Sequence, residues 1–282
     1  MIKISIITAT FNSGKTVRDT LESVLRQSYK NYELIIKDGG SEDNTLEICR
    51  QYVSRFEGRM RIIAEPDKGI YDAMNQGIHA STGDVVGILN SDDFYTSFDV
   101  LQAVANQFER TPDADAVYGD IHYVKEDDIT RLTRYYSSRK FRPSWMRLGF
   151  MPAHPSFYCK KEVYDRFKLD GNAITGFKGD KSCAYFNTTY KIAADFENLL
   201  RMILLGRIKC MYINKDFVTM RTGGASSSGA ASHKQINKDH QRALKENGVY
   251  SNIGLLSIRY LYRSVELAIG SIRKLDKSIS NL

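Results

Sequence analysis

Cysteine is scarce and scattered in this sequence. Cys49, Cys159, Cys183 and Cys210 share no CxxC spacing, which argues against a zinc site and a disulfide framework and leaves inert thiols in a reducing compartment. Nowhere do 18 apolar residues run together, so no membrane-spanning helix is expected. The opening MIKISIITAT is too short and too strand-like for a signal peptide. The expected location is cytoplasmic, with peripheral attachment at the inner face of the cytoplasmic membrane as a further option. Acidic residues are in the minority, 33 against 40 basic ones, for a formal charge of +7. That excess permits a polyanionic partner, but composition does not choose between nucleic acid, an anionic membrane and a phosphate-bearing substrate. There is no internal repeat.

What the 282 residues do contain is alternating strand and helix. Strands are predicted at Ile2–Thr8, Tyr32–Lys37, Met60–Ala64, Val85–Leu89, Ala116–Asp120 and Phe157–Cys159. Helical periodicity places Val17, Leu21, Val24 and Leu25 on one face, and further helices at Thr45–Phe56, Ile70–Ala80, Val100–Arg110, Lys161–Phe167 and Ala193–Leu205. Such alternation with short loops predicts an α/β fold with a mainly parallel sheet covered on both faces. Residues 170–189 are polar and Gly-rich, without a period, and read as a loop or insertion that shapes acceptor choice. Residues 223–233, GGASSSGAASH, are of low complexity and read as a mobile segment. An amphipathic helix is predicted over Leu255–Leu275, with Leu256, Tyr260, Val265, Leu267 and Ile272 apolar among Arg259, Arg263, Arg273 and Lys274.

In open α/β sheets the ligand lies beyond the carboxyl ends of the strands. Here those ends carry Thr10-Phe11-Asn12, Asp38, Asp67-Lys68 and Asn90-Ser91-Asp92-Asp93. An ionised Asp accepts hydrogen bonds from a base N–H and from ribose hydroxyls. It repels a diphosphate unless Mg²⁺ or Mn²⁺ bridges the two, which is the role that suits Asp92 and Asp93. Asp93 has a second reading, as a cap on the next helix. A deprotonating group is also needed, and Asp195 is a candidate general base; on spacing alone an N-cap is the stronger reading of it. The basic, aromatic stretch 131–150, with Tyr135, Tyr136, Lys140, Phe141 and Trp145, fits a sugar-stacking wall, a single-strand nucleic-acid platform or ordinary packing. The C-terminal helix fits a membrane interface, the main body or a second subunit.

The runs ISIITATFN, YELIIKDGGSEDNT and AEPDKGIYDAMNQGIHASTGDVVGILNSDD, followed by AHPSF, KIAADFENLLR and MRTGGASS, closely resemble the family 2 glycosyltransferases of GT-A fold over about residues 2–228. The resemblance implies a mixed, mostly parallel twisted sheet flanked by helices, with a GT-A domain at 1–230. Its nucleotide-binding half would be 1–97 and its acceptor half 98–230, with a C-terminal helical extension at 231–282. It implies that Thr8, Thr10 and Asn12 line the nucleotide, Phe11 lies beside the base and Asp38 bonds the pyrimidine. Asp67 and Lys68 would sit near ribose and phosphates, with Asn75 supporting the donor sugar. Asn90, Ser91 and Asp92 form the motif at the donor diphosphate. Asn90 stands where many relatives have the first carboxylate, and Asp92 is the metal ligand. Asp195 matches the catalytic base, which reverses the N-cap reading, and His154 matches a His that contacts substrate or metal. Arg221, Gly223 and Gly224 match a segment that closes over the donor.

The activity so implied is inverting, Mn²⁺- or Mg²⁺-dependent transfer from a nucleotide-diphosphate sugar, a UDP-sugar first, to a hydroxyl of a glycan or lipid-linked saccharide. In relatives such enzymes build O-antigen, capsule or exopolysaccharide, and no nucleic-acid partner is expected. Two rivals are a metal-dependent nucleotidyltransferase and a non-catalytic sugar-nucleotide-binding protein. The first usually wants a Gly-rich, basic phosphate loop that ATFNSGK does not supply.

Overall fold

A computed structural model describes residues 1–223, 230–260 and 262. The strands are β1 (Ile4–Thr10), β2 (Tyr32–Asp38), β3 (Met60–Ala64), β4 (Val85–Ile88), β5 (Phe94–Tyr95), β6 (Ala116–Val124), β7 (Leu132–Tyr136), β8 (Tyr158–Lys160) and β9 (Cys210–Arg221). The helices are α1 (Val17–Leu25), α2 (Thr45–Tyr52), α3 (Ile70–Ala80), α4 (Val100–Arg110), α5 (Lys161–Arg166), α6 (Ala194–Leu199) and α7 (Ala230–Glu246). One wide turn over Leu200–Leu205 continues α6.

The strands form one sheet in the order β3-β2-β1-β4-β8-β6-β9-β5, with β7 paired to β6. Parallel pairing holds through β3, β2, β1 and β4 and again between β6 and β9. The four remaining pairings are antiparallel, so the sheet is more evenly mixed than the alternation predicts. The period of two along β1 sends Ile4 and Ile6 to one face and Ile7 and Ala9 to the other. The first face packs on Val17, Leu21, Ile48 and Val104 of α1, α2 and α4. The second packs on Met74 and Ile78 of α3, Phe196 and Leu199 of α6, and Ala243 and Leu244 of α7. Gly87 lets β4 and β8 pair closely, since a Cβ there would lie 2.3 Å from the Tyr158 ring.

The sequence did not announce β5, β7, the twelve-residue β9 or α7. Residues 230–233 of the segment read as mobile are the first turn of α7, while Gly224 and the serines to Ser228 lie outside the described residues. Residues 253–260 are helical; Leu256 is fully buried in the main core, a burial worth about 2 kcal/mol. This part of the C-terminal helix therefore docks on the body of the protein. Its continuation to Leu275 lies outside the described residues apart from Tyr262. No described helix is long and apolar enough to cross a membrane.

Candidate functional site

Strand register brings distant residues together at the end of β4. In the antiparallel pair of β5 and β9, Phe94 faces Thr219, so two residues further out Asp92 meets Arg221. The Arg221 guanidinium donates to the Asp92 carbonyl at 2.5 Å, pairs with Asp19 and lies over the Phe94 ring. Arg221, which the resemblance places in a segment that closes over the donor, is thus buried and held by protein partners, and it braces the loop that carries Asp92. In the pair of β4 and β8, Gly87 faces Tyr158, so the residues before β8 lie beside those after β4. His154 Nε2 comes within 3.5 Å of Asn90 Nδ2. The other ring nitrogen, Nδ1, stands 3.3 Å from Asp195 Oδ2.

Asp195 does not cap its helix. Ala193 occupies the N-cap position of α6, and Asp195 lies in the first turn, where its Oδ1 accepts the Phe196 N–H at 2.8 Å. Its Oδ2 is left toward His154 and a cavity of about 430 Å³. Asn90, Ser91, Asp92, His154, Asp195 and Arg221 all line that cavity, and Thr8, Thr10, Phe11, Asn12, Asp38, Asp67, Lys68, Asn75 and Asp93 do not.

The two adjacent carboxylates differ in setting. Asp93 is 1 % exposed; burial, and then the charge of Asp92, push its carboxyl well above the ordinary range. Its backbone N–H bonds Asn90 and its carbonyl accepts the Thr20 hydroxyl. It is neither at the cavity wall nor a helix cap, since Asp99 holds the N-cap of α4. Asp92 faces the cavity, and burial raises its carboxyl too, against the pull of Arg221 and His154. Asn90 Oδ1 is buried and has no partner. Asp92 oxygens, Asn90 Oδ1 and the His154 ring suit Mn²⁺ or Mg²⁺ by donor type. No group of three or more His, Cys, Asp or Glu that could hold an ion is found among the described residues.

The residues matched to nucleotide recognition divide into two groups. At the ends of β1 and β2, the fully buried Asp38 accepts four hydrogen bonds, from the Gly40 and Ser41 N–H groups and the Ser41 and Thr10 hydroxyls. Burial pushes its carboxyl up, but these bonds outweigh it and leave it below its ordinary value. Both oxygens are taken by protein, so Asp38 builds the loop and does not present a free carboxylate to a base. Gly40 makes the turn with φ +95°, a region open to glycine. Asn12, itself left-handed at φ 49°, accepts the Glu42 N–H on its side-chain oxygen and donates its own backbone N–H to the Ser41 hydroxyl oxygen. Phe11 stands 63 % exposed on this rim, whereas Thr8 is wholly buried with no partner for its hydroxyl.

Asp67 accepts the Gly69 N–H and pairs at 3.4 Å with Lys37, a lysine with no exposed surface. Lys37 also donates to the Asp38 and Glu65 carbonyls and so ties the β3–α3 loop to β2. A lysine inside the apolar run YELIIKD was the available signal for it. Lys68 is exposed. Asn75 faces away from the cavity: its Oδ1 accepts the Tyr185 and Phe186 N–H groups and its Nδ2 donates to the Phe186 carbonyl. It clamps the 170–189 segment to α3, and no residue of that segment lines the cavity.

The other end of the cavity is aromatic and basic. Tyr136, Phe141, Trp145, Phe150, Tyr260 and Tyr262 line it, with Trp145, Phe150 and Tyr262 in mutual ring contact at 5.5–6.2 Å. Tyr135 instead bonds Asp120 and lies outside it. His240 and Arg259 also reach this wall, and neither was singled out for the site from the sequence.

Comparison with known proteins finds that the model of glycosyl transferase family 2 matches residues 5–167. A PGL/p-HBAD biosynthesis glycosyltransferase of Mycobacterium tuberculosis is 37 % identical over 117 residues, 42 % of this chain and 46 % of that protein. The uncharacterized glycosyltransferase YibD of Escherichia coli is 31 % identical over 185 residues, 63 % of this chain and 52 % of that one. The chain spans about half the length of these curated relatives. Among solved structures, Staphylococcus aureus TarS in complex with UDP superposes with a TM-score of 0.60 at 16 % identity, covering 86 % of this chain and 65 % of TarS. The mannosyltransferase PcManGT of Pyrobaculum calidifontis, with GDP-Man and Mn²⁺, gives 0.53 at 13 %, over 94 % and 80 %. At such identities the likeness is one of fold, the GT-A arrangement.

Proposed function

Because the chain belongs to glycosyl transferase family 2, we propose that it transfers a sugar, with inversion, from a nucleotide diphosphate to a hydroxyl of a saccharide acceptor. UDP is the preferred nucleotide in this reading, supported by the fold shared with UDP-bound TarS. The observation that carries it is the meeting of Asp92 and Asp195, 103 positions apart, on one cavity with His154 between them.

The donor binds across the rim, with its base against the exposed Phe11 ring and the loop built by Asp38 and Asn12. The Lys37-anchored loop of Asp67 and Lys68 lies toward ribose and phosphates. Asp92, Asn90 and His154 would hold a Mn²⁺ or Mg²⁺ ion, which when bound supplies Lewis-acid stabilisation of the departing diphosphate. Asp195 Oδ2 takes the proton of the acceptor hydroxyl. The acceptor oxygen, as it loses this proton, bonds to the anomeric carbon while the carbon–phosphate-oxygen bond breaks on the opposite face, and the nucleotide diphosphate leaves. The Phe196 N–H on Oδ1 and His154 near Oδ2 fix the carboxylate for this step. Surface-polysaccharide assembly is the setting proposed, on a glycan or lipid-linked acceptor.

Asp195→Asn keeps the shape of the side chain and removes the base. Transfer should fall by about 10²–10⁴ fold while UDP affinity, measured calorimetrically, stays within twofold. Normal transfer by this variant would remove Asp195 from the chemistry.

A further inference from the structure

Arg259 is a buried cation without a counter-charge. It is 8 % exposed and lines the cavity, and each of its partners is neutral. Its Nη1 donates to His240 Nδ1 at 2.6 Å and to the Gly149 carbonyl at 3.2 Å. Its Nη2 donates to Asn237 Oδ1 at 2.6 Å and to the Tyr260 hydroxyl at 3.0 Å. No carboxylate reaches it among the described residues. His240 cannot share the charge as a second cation, since burial and then Arg259 itself hold its ring well below the ordinary titration range. An unpaired buried charge is expensive to keep; an anion arriving from the cavity would repay it.

The surroundings have the same sign. Lys140 and Lys191 are exposed at the rim of this cavity and form no ion pair among the described residues. The cavity's carboxylates, Asp92 and Asp195, belong to the reaction end. Arg259 is also coupled in space to the base. Asp195 is followed by Phe196, whose ring stacks on His240 at 3.8 Å, and His240 bonds Arg259. One stacked ring and one hydrogen bond separate the catalytic turn from the cation. Beside it lies the Trp145–Phe150–Tyr262 wall, suited to a sugar face or a hydrocarbon.

We propose that Arg259, with Lys140 and Lys191 at the rim, binds a phosphate ester carried by the acceptor and so orients the acceptor hydroxyl toward Asp195. This rests on the glycosyltransferase reading and adds the substrate class: a phosphorylated acceptor, not a neutral glycan. Both Nη groups already donate to neutral protein acceptors, so the cation offers a phosphate its uncompensated charge and the remaining Nε–H, and such a phosphate can belong to a sugar phosphate or to the diphosphate of a lipid carrier.

The test is calorimetric titration of the full chain, with UDP and Mn²⁺ saturating the donor side, using N-acetylglucosamine 1-phosphate, N-acetylglucosamine and geranyl diphosphate as probes. At least one phosphate-bearing probe should bind ten times tighter or more than the neutral sugar; which of the two does so assigns the source. Arg259→Gln should abolish the preference, Arg259→Lys should restore part of it, and UDP affinity should move by less than twofold in both. The Lys140→Gln/Lys191→Gln double variant, at exposed positions that carry no fold, should weaken phosphate binding several-fold. Equal binding of all three probes to the wild type overturns the proposal. So does an unchanged preference in Arg259→Gln, or a tenfold loss of UDP affinity there, which would assign Arg259 to the donor. UDP binding and sugar-nucleotide hydrolysis are measured first; their absence sinks the glycosyltransferase reading by itself, while the phosphate preference remains a separate result.

Discussion

Replacing Asp38 by Asn separates a loop-building carboxylate from a base-binding one. In the wild type Oδ2 receives two backbone N–H groups, from Gly40 and Ser41, at 3.0 and 2.9 Å, and Oδ1 receives the Thr10 and Ser41 hydroxyls at 3.0 and 2.6 Å. Asn can place its carbonyl at the Oδ2 position and its amide at the other, where both hydroxyls can turn to accept. The two N–H bonds survive but lose their charge. Bonds to charged groups contribute about 1.5–3 kcal/mol and neutral ones about 0.5–1.5, so the expected loss is about 1 kcal/mol for each, or about 2 kcal/mol in all. Urea unfolding at pH 7 reads it directly. The pH dependence has a definite sign. The native carboxyl lies below its ordinary value, so its contribution is full above the unfolded-state pKa of roughly 4 and is lost as pH falls through the native one. The gap between wild type and Asp38→Asn should therefore narrow on acidification. A variant within about 0.5 kcal/mol of wild type at pH 7, yet with UDP affinity reduced tenfold, refutes the reasoning and returns Asp38 to the base; the 0.5 kcal/mol bound is the usual scatter of neutral substitutions.

Arg221→Met removes the pair with Asp19 and the bond to the Asp92 carbonyl; since Asp19 is half exposed and can rehydrate, the loss should be about 2 kcal/mol in urea unfolding, and a smaller effect than 0.5 kcal/mol would show that the brace is idle. Chelation tests the ion: UDP should bind at least tenfold tighter with Mn²⁺ than in EDTA, and equal affinities would remove the metal from the donor site.

The first 97 residues were legible because their strands are apolar runs closed by polar ends, and β1 to β4 fall within a few residues of the predicted spans. The meeting of Asp92, His154 and Asp195 was not legible from spacing, since it depends on β8 running antiparallel between β4 and β6. The strand was predicted, at Phe157–Cys159, but so short a run does not tell its direction or its neighbours in the sheet. At Asp38, Asn75 and Arg221 residue type did not foretell that these polar side chains would be bonded to groups of the protein itself. Arg259 was read as part of a basic helix face that fitted a membrane, the main body or a second subunit alike, and α7 was hidden behind a Ser- and Ala-rich start; both needed the tertiary core to place them.

The insertion of β8 into the sheet also has a consequence for the order of assembly. Until Tyr158 is made, β4 offers an unpaired edge of Val85, Val86 and Ile88, and about 70 positions separate it from the strand that covers it. Such edges template pairing with other chains, and long closures are slow to form. A nascent chain ending near residue 97 would expose that edge on the ribosome, so this first part of the chain is expected to need either the rest of the chain or a chaperone to stay monomeric.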